Sequence, residues 1–134
     1  MTFAHELQHF VQYAYRKPIW AANTLLINLN SPDFRVWWDF PIEIEARFKA
    51  KRVAESLFGK DSVRDFVIQR IGERVTETDA ADWKYIREID TSRAYDVLKE
   101  TSSLVKKHRV QLNALLEDRK GDGDFANLDL DTLS

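Results

Sequence analysis

Proline interrupts this chain at only three positions, 18, 32 and 41, all in its first third. Proline removes a backbone donor and drives the residue before it out of the α region. Lys17-Pro18 therefore ends a first helix, residues 2–16. Pro41 suits the first turn of a second long helix, residues 41–58, with Gly59 as its C-terminal cap. Between them, Ile19 to Leu29 is apolar enough to be buried. It reads either as a short helix followed by an irregular loop, the preferred reading, or as the approach to a hairpin over Leu26 to Trp38 that turns at Asn30-Ser31-Pro32-Asp33. Trp37 and Trp38 read as a packing lid.

Beyond Gly59 the pattern stays helical. Asp61 or Ser62 caps a helix that continues through Phe66, Val67, Ile68 and Ile71 towards Val75. Thr76 to Thr78 form a loop, and Asp79 caps a short helix containing Trp83, Tyr85 and Ile86. Residues 92–119 make the longest helical candidate, capped by Thr91 or Ser92. Within it Ala94, Leu98, Thr101, Val105, His108, Leu112 and Leu115 recur at alternating steps of four and three, the spacing of a seam that packs on another helix. That seam serves an intramolecular bundle or a helical protein partner through residues 94–115; its short span and Thr101 favour the bundle. His108, on the seam, reads as a core histidine more readily than as a ligand or a donor to a reacting group. The fold expected is mainly α: a single-domain bundle of about five helices over residues 1–120, with at most one short hairpin. Residues 121–134, with four aspartates and no Lys or Arg, read as an acidic flexible tail.

At 134 residues the chain is long enough for one real core. A hydrophobic fraction of 44% and a charged fraction of 31% are those of an ordinary globular protein, not a disordered one. No apolar run approaches the roughly 20 residues that span a bilayer, and no basic segment followed by an apolar one opens the chain. A cytoplasmic location is expected. With a net charge of −2 and bases interleaved with acids, neither a nucleic-acid nor a membrane partner is expected. Lys106, Lys107 and Arg109 read as the solvated face of a helix. Cysteine is absent, so any metal must sit on His, Asp or Glu.

Two of the three histidines lie in His5-Glu6-Leu7-Gln8-His9, on the first helix. Imidazoles one turn apart can bind one Zn²⁺, and the glutamate between them can act as a base on water activated by the metal. With successive residues about 100° apart, Phe3, Leu7, Phe10, Val11 and Ala14 share one stripe, and His5, Gln8, His9 and Gln12 lie roughly opposite. The helix is expected to have an apolar core face and a polar working face. On the second long helix Ala46, Ala50, Val53, Ala54, Leu57 and Phe58 lie within roughly 80° of Glu43, whereas Glu45 points away. A carboxylate on a buried stripe needs a partner. A metal held by His5 and His9 would supply one; the helix dipole or Arg47 would also serve.

The combination of His-Glu-Leu-Gln-His with Pro41-Ile-Glu43-Ile-Glu45-Ala46 resembles the gluzincin branch of zincin metallopeptidases. It is also similar to short zincin-like proteins of bacteria and phages. The resemblance covers about residues 3 to 58. It implies that His5, His9 and Glu43 hold zinc, that Glu6 is the general base, and that the substrate is a peptide or protein. It departs from the pattern at Arg47, where related peptidases often carry an acid or asparagine. It departs again in having only four residues before His5, where a β-sheet is expected; a truncated zincin-like domain is therefore anticipated. Tyr13, Tyr15, Tyr85 and His108 are candidate donors to a developing oxyanion. The alternative function is a non-catalytic helical interaction module built on the seam.

Overall fold

The computed structural model describes residues 2–29, 31, 39–73, 76–119 and 121–133, the Thr78 side chain excepted. It bears out the helical class: among the described residues there are seven α-helices and no strand. They are α1 (Thr2–Tyr15), α2 (Lys17–Asn28), α3 (Pro41–Phe58), α4 (Lys60–Gly72), α5 (Glu77–Glu88), α6 (Val97–Lys107) and α7 (Arg109–Asp118), followed by a 3₁₀ turn, Leu130–Leu133. Helix α2 agrees with the preferred helical reading of Ile19 to Leu29, and the count exceeds about five because the expected C-terminal helix is broken in two. Leu26 to Asn28 belong to α2, which removes the first arm of the hairpin; its turn and Trp37 and Trp38 lie outside the described residues. No helix among the described residues is long and apolar enough to cross a membrane.

Where one bundle was expected, the chain resolves into two compact units, Met1–Gln8 with Ala46–Tyr95 and His9–Glu45 with Asp96–Ser134. In the second, α2 buries Ala21, Ala22, Leu25 and Leu26 against α6 and α7, whose contributions are Val105 and Leu112. The seam is used internally only from Thr101 onwards: Thr101, Val105, His108 and Leu112 are buried, whereas Ala94 and Leu98 are exposed and Val97 is buried in their stead. Thr101 is tolerated there because its Oγ1 accepts a hydrogen bond from buried Asn23 at 3.0 Å.

The expected helix 92–119 is corrected at both its start and its middle. Asp96 caps α6 by accepting from the Lys99 N–H at 3.0 Å, while Asp90 draws Ser92 into a turn. The break falls at His108, yet the Leu104 carbonyl still takes the His108 N–H and the His108 carbonyl the Leu112 N–H. The long helix is therefore kinked, not abandoned. Residues 121–134 are not a free tail either. Phe125, Leu130 and Leu133 are buried in the same core, and Asp131 pairs with Arg109. The 3₁₀ turn brings residues three apart onto one side, which lets Leu130 and Leu133 insert together while the aspartates face out.

In the first unit α4 and α5 pack together, and Ala54 of α3 joins Val63, Val67 and Ile86 in a small core. Gly59, at φ 86°, makes the α3–α4 junction. It is the expected end of α3, but α4 follows at once from Lys60 instead of Asp61 or Ser62. Thr76, not Asp79, caps α5, its side chain accepting from the Asp79 N–H. Lys51 Nζ donates to the carbonyls of Ile86, Arg87 and Ile89, the groups a helix C-terminus leaves unpaired.

Candidate metal centre

Helix α1 is turned over relative to its expected orientation. Phe3 and Phe10 are 81% and 61% exposed and Leu7 is exposed, whereas Gln12 is fully buried and His5 and His9 are half-buried. The polar face goes inside because each buried group on it finds a partner, and burial is costly only for polar groups that do not. Gln12 Nε2 donates to the Ile42 carbonyl and to Glu45 Oε1, both at 3.0 Å. Gln12 Oε1 lies 2.8 Å from His9 Nδ1, and His9 Nε2 lies 3.1 Å from Glu43 Oε1.

The partner surface is the first turn of α3. There Pro41, Ile42, Glu43, Glu45 and Ala46 are all buried, so a helical wheel that assumes one wet face fails. Glu43 is 8% exposed, as its place on the buried stripe requires, but Glu45, expected to point away, is only 2% exposed. Glu45 is held by Gln12 and, at 3.1 Å, by Arg16 Nη1. Towards the end of α3 the expected stripe also narrows: Ala50 and Ala54 are buried, while Val53, Leu57 and Phe58 are exposed.

His5, His9 and Glu43 each offer a ligand atom, and these atoms all lie within 4.8 Å of one another. Tetrahedral zinc with ligands near 2.1 Å spaces its ligand atoms about 3.4 Å apart. The His9–Glu43 separation, 3.1 Å and also that of an ion pair, is close to that edge, and two imidazoles with one carboxylate form a donor set that zinc accepts. No family model, curated protein or solved structure matches the chain. The site must be judged on its own geometry.

The other candidates are placed as follows. Glu6 is exposed on α1 and is not a member of the ligand cluster. Arg47, a possible partner for Glu43, donates through Nε to Asp82 at 2.8 Å. Tyr13 stacks edge-on against Trp20, whose ring also meets that of His9 edge-on at 5.9 Å between centroids. Tyr15 is exposed, Tyr85 is half-buried on α5, and His108 is buried at the α6–α7 kink. Sequence reasoning placed Gln12 on the polar face without a role, turned Glu45 away from the buried stripe, and missed Arg16. The signal available was the spacing: Gln12 stands three residues after His9, the separation at which helical side chains meet.

Proposed function

We propose that His5, His9 and Glu43 hold a zinc ion and that the centre hydrolyses peptide bonds, with Glu6 as the general base. The convergence of potential ligand atoms from the two histidines of the His-Glu-Leu-Gln-His pattern and from Glu43 of the second long helix carries this reading. On it the chain is a zincin-like protein of the gluzincin kind. Three protein ligands leave one position open, as catalytic zinc sites do.

Zinc bound there supplies a Lewis acid that polarises a carbonyl and acidifies water. The chain's residues then divide the work. Glu6, exposed and next to His5, takes a proton from water as its oxygen bonds to the carbonyl carbon, and delivers that proton to the amine as the C–N bond breaks. Trp20, edge-on to His9, limits how far that ring can swing. A cytoplasmic setting suits a chain with no cysteine. A partner surface along residues 94–115 has less support, since Thr101, Val105, His108 and Leu112 are buried within their own unit.

Metal analysis of the purified, zinc-reconstituted protein tests the centre. One zinc per chain is expected, with at least a hundredfold loss of affinity in His9→Ala and in Glu43→Ala. Absence of stoichiometric zinc in the unaltered protein would reject the proposal. Zinc that survives Glu43→Ala but not Glu45→Ala would move the third ligand to Glu45. Glu6→Gln should keep zinc and lose peptide hydrolysis; unchanged hydrolysis removes Glu6 from the reaction.

A further inference from the structure

Behind the ligands runs a line of hydrogen bonds with only one possible direction. Gln12 points Nε2 at the Ile42 carbonyl and at the Glu45 carboxylate, 3.0 Å from each. Neither group can donate. Turning the amide over would set its oxygen against two acceptors in a fully buried place, where an unmet polar group is costly. The amide oxygen is therefore committed to His9 Nδ1, 2.8 Å away, and that nitrogen must carry a hydrogen. Nε2 is then the nitrogen that faces Glu43 Oε1, 3.1 Å away. At the far end, Arg16 Nη1 grips the second oxygen of Glu45 at 3.1 Å and leaves the first for Gln12.

We infer that Gln12 and Glu45 are positioning residues that assign Nε2 of His9 to the metal, an inference that rests on the zinc centre proposed above. The two glutamates of α3's first turn then divide the labour. Glu43 is a ligand, and Glu45 fixes the amide that selects the ligating nitrogen. A hydrogen-bond acceptor on the remote nitrogen of a ligating histidine fixes ring orientation and raises ligand basicity. Here the acceptor is a neutral amide on the histidine's own helix, steered by a carboxylate on another.

Protein labelled with ¹⁵N in its three histidines and loaded with zinc tests this through long-range ¹H–¹⁵N correlations, alongside zinc affinity. Zinc on Nε2 of His9 is expected in the unaltered protein. Gln12→Leu removes the acceptor and should weaken zinc binding by about 10- to 100-fold, the usual effect of losing such a partner. Gln12→Glu keeps an acceptor for Nδ1 and should retain Nε2 coordination, with zinc held more tightly than in Gln12→Leu. A packing role alone gives the reverse order, because a second carboxylate beside Glu45 disturbs the fold more than leucine does.

Coordination of the unaltered protein through Nδ1, wild-type affinity in Gln12→Leu, or the packing order would each overturn the inference. If Gln12→Leu does not fold, Arg16→Met at the exposed end of the line replaces it. A severalfold loss of zinc affinity there supports the inference, and no loss overturns it. A wild-type chain that takes up no zinc removes the centre itself and any ligand to position. That result is distinct from zinc that binds without regard to Gln12.

Discussion

In the second unit ten buried apolar residues, drawn from α2, α6, α7, Phe40 and the C-terminal segment, form one core. Among the described residues of the first, Ala54, Val63, Val67 and Ile86 form a smaller cluster, and polar ties share the task. Lys51 reaches three carbonyls at the end of α5, Arg47 pairs with Asp82, Thr91 donates to Glu55, and Arg70 lies over the rings of Phe66 and Trp83. One unit depends chiefly on apolar area, the other on charged groups that meet helix ends and aromatic faces.

The sharpest way to break that contrast is to cut into each core. Leu112→Ala leaves a cavity where α2, α6 and the C-terminal segment meet and should cost about 2–5 kcal/mol. Val67→Ala, in the smaller core, removes two methylenes at about 0.8 kcal/mol each, plus a cavity term. Urea unfolding, with native-state hydrogen exchange to place each loss in its unit, makes the measurement. Equal costs would remove the distinction.

Much of this architecture was legible because proline and glycine act locally. Pro18, Pro41 and Gly59 mark α2's start, α3's start and α3's end through backbone geometry that no distant contact can cancel. The wheel on α1 failed for the opposite reason. It assumed that apolar residues go inside, whereas Gln12 and His9 are drawn inwards by partners thirty or more residues away in α3, and nothing in α1 announces them. The same long-range pairing hid Glu45. The C-terminal segment looked like a solvated tail because its aspartates dominate its composition, although Phe125, Leu130 and Leu133 are what anchor it. The grouping of His5, His9 and Glu43 was readable since two of them are one turn apart and the third lies on a stripe with Ala46.

A smaller loss is expected at the charged tie of the first unit. Lys51→Met keeps most of the aliphatic stem but leaves the Ile86, Arg87 and Ile89 carbonyls without their ammonium, which should cost about 1–2 kcal/mol. Burial pushes the Lys51 ammonium below the ordinary lysine range, with Glu55 and Asp90 acting in the opposite sense. A base whose folded pKa is lowered binds its proton more tightly when unfolded, so stability rises with pH between the folded and the ordinary value. The unaltered protein should therefore gain on Lys51→Met as pH climbs through the alkaline range just below that of free lysine. If it loses ground instead, the three carbonyl bonds outweigh burial and Lys51 is an even stronger tie than proposed.

The smallest effect belongs to Asp90, an exposed polar tie of the same unit. Its carboxyl is held below the usual carboxylate range, first by the Ser92 hydroxyl and then by the Ser92 N–H, with Arg93 and Lys60 adding their charges. For an acid the sign is opposite to that of Lys51. The contribution is complete above the ordinary carboxylate pKa and disappears as pH falls through the folded value. Asp90→Asn should thus be slightly less stable than the unaltered protein near neutrality and equal to it in strong acid. Salt separates the two causes: screening suppresses the share due to Arg93 and Lys60 and spares the direct bonds to Ser92. A stability gap that survives in acid would mean that Asp90 holds the turn by shape and not by charge, which would set it apart from the charged ties that distinguish this unit.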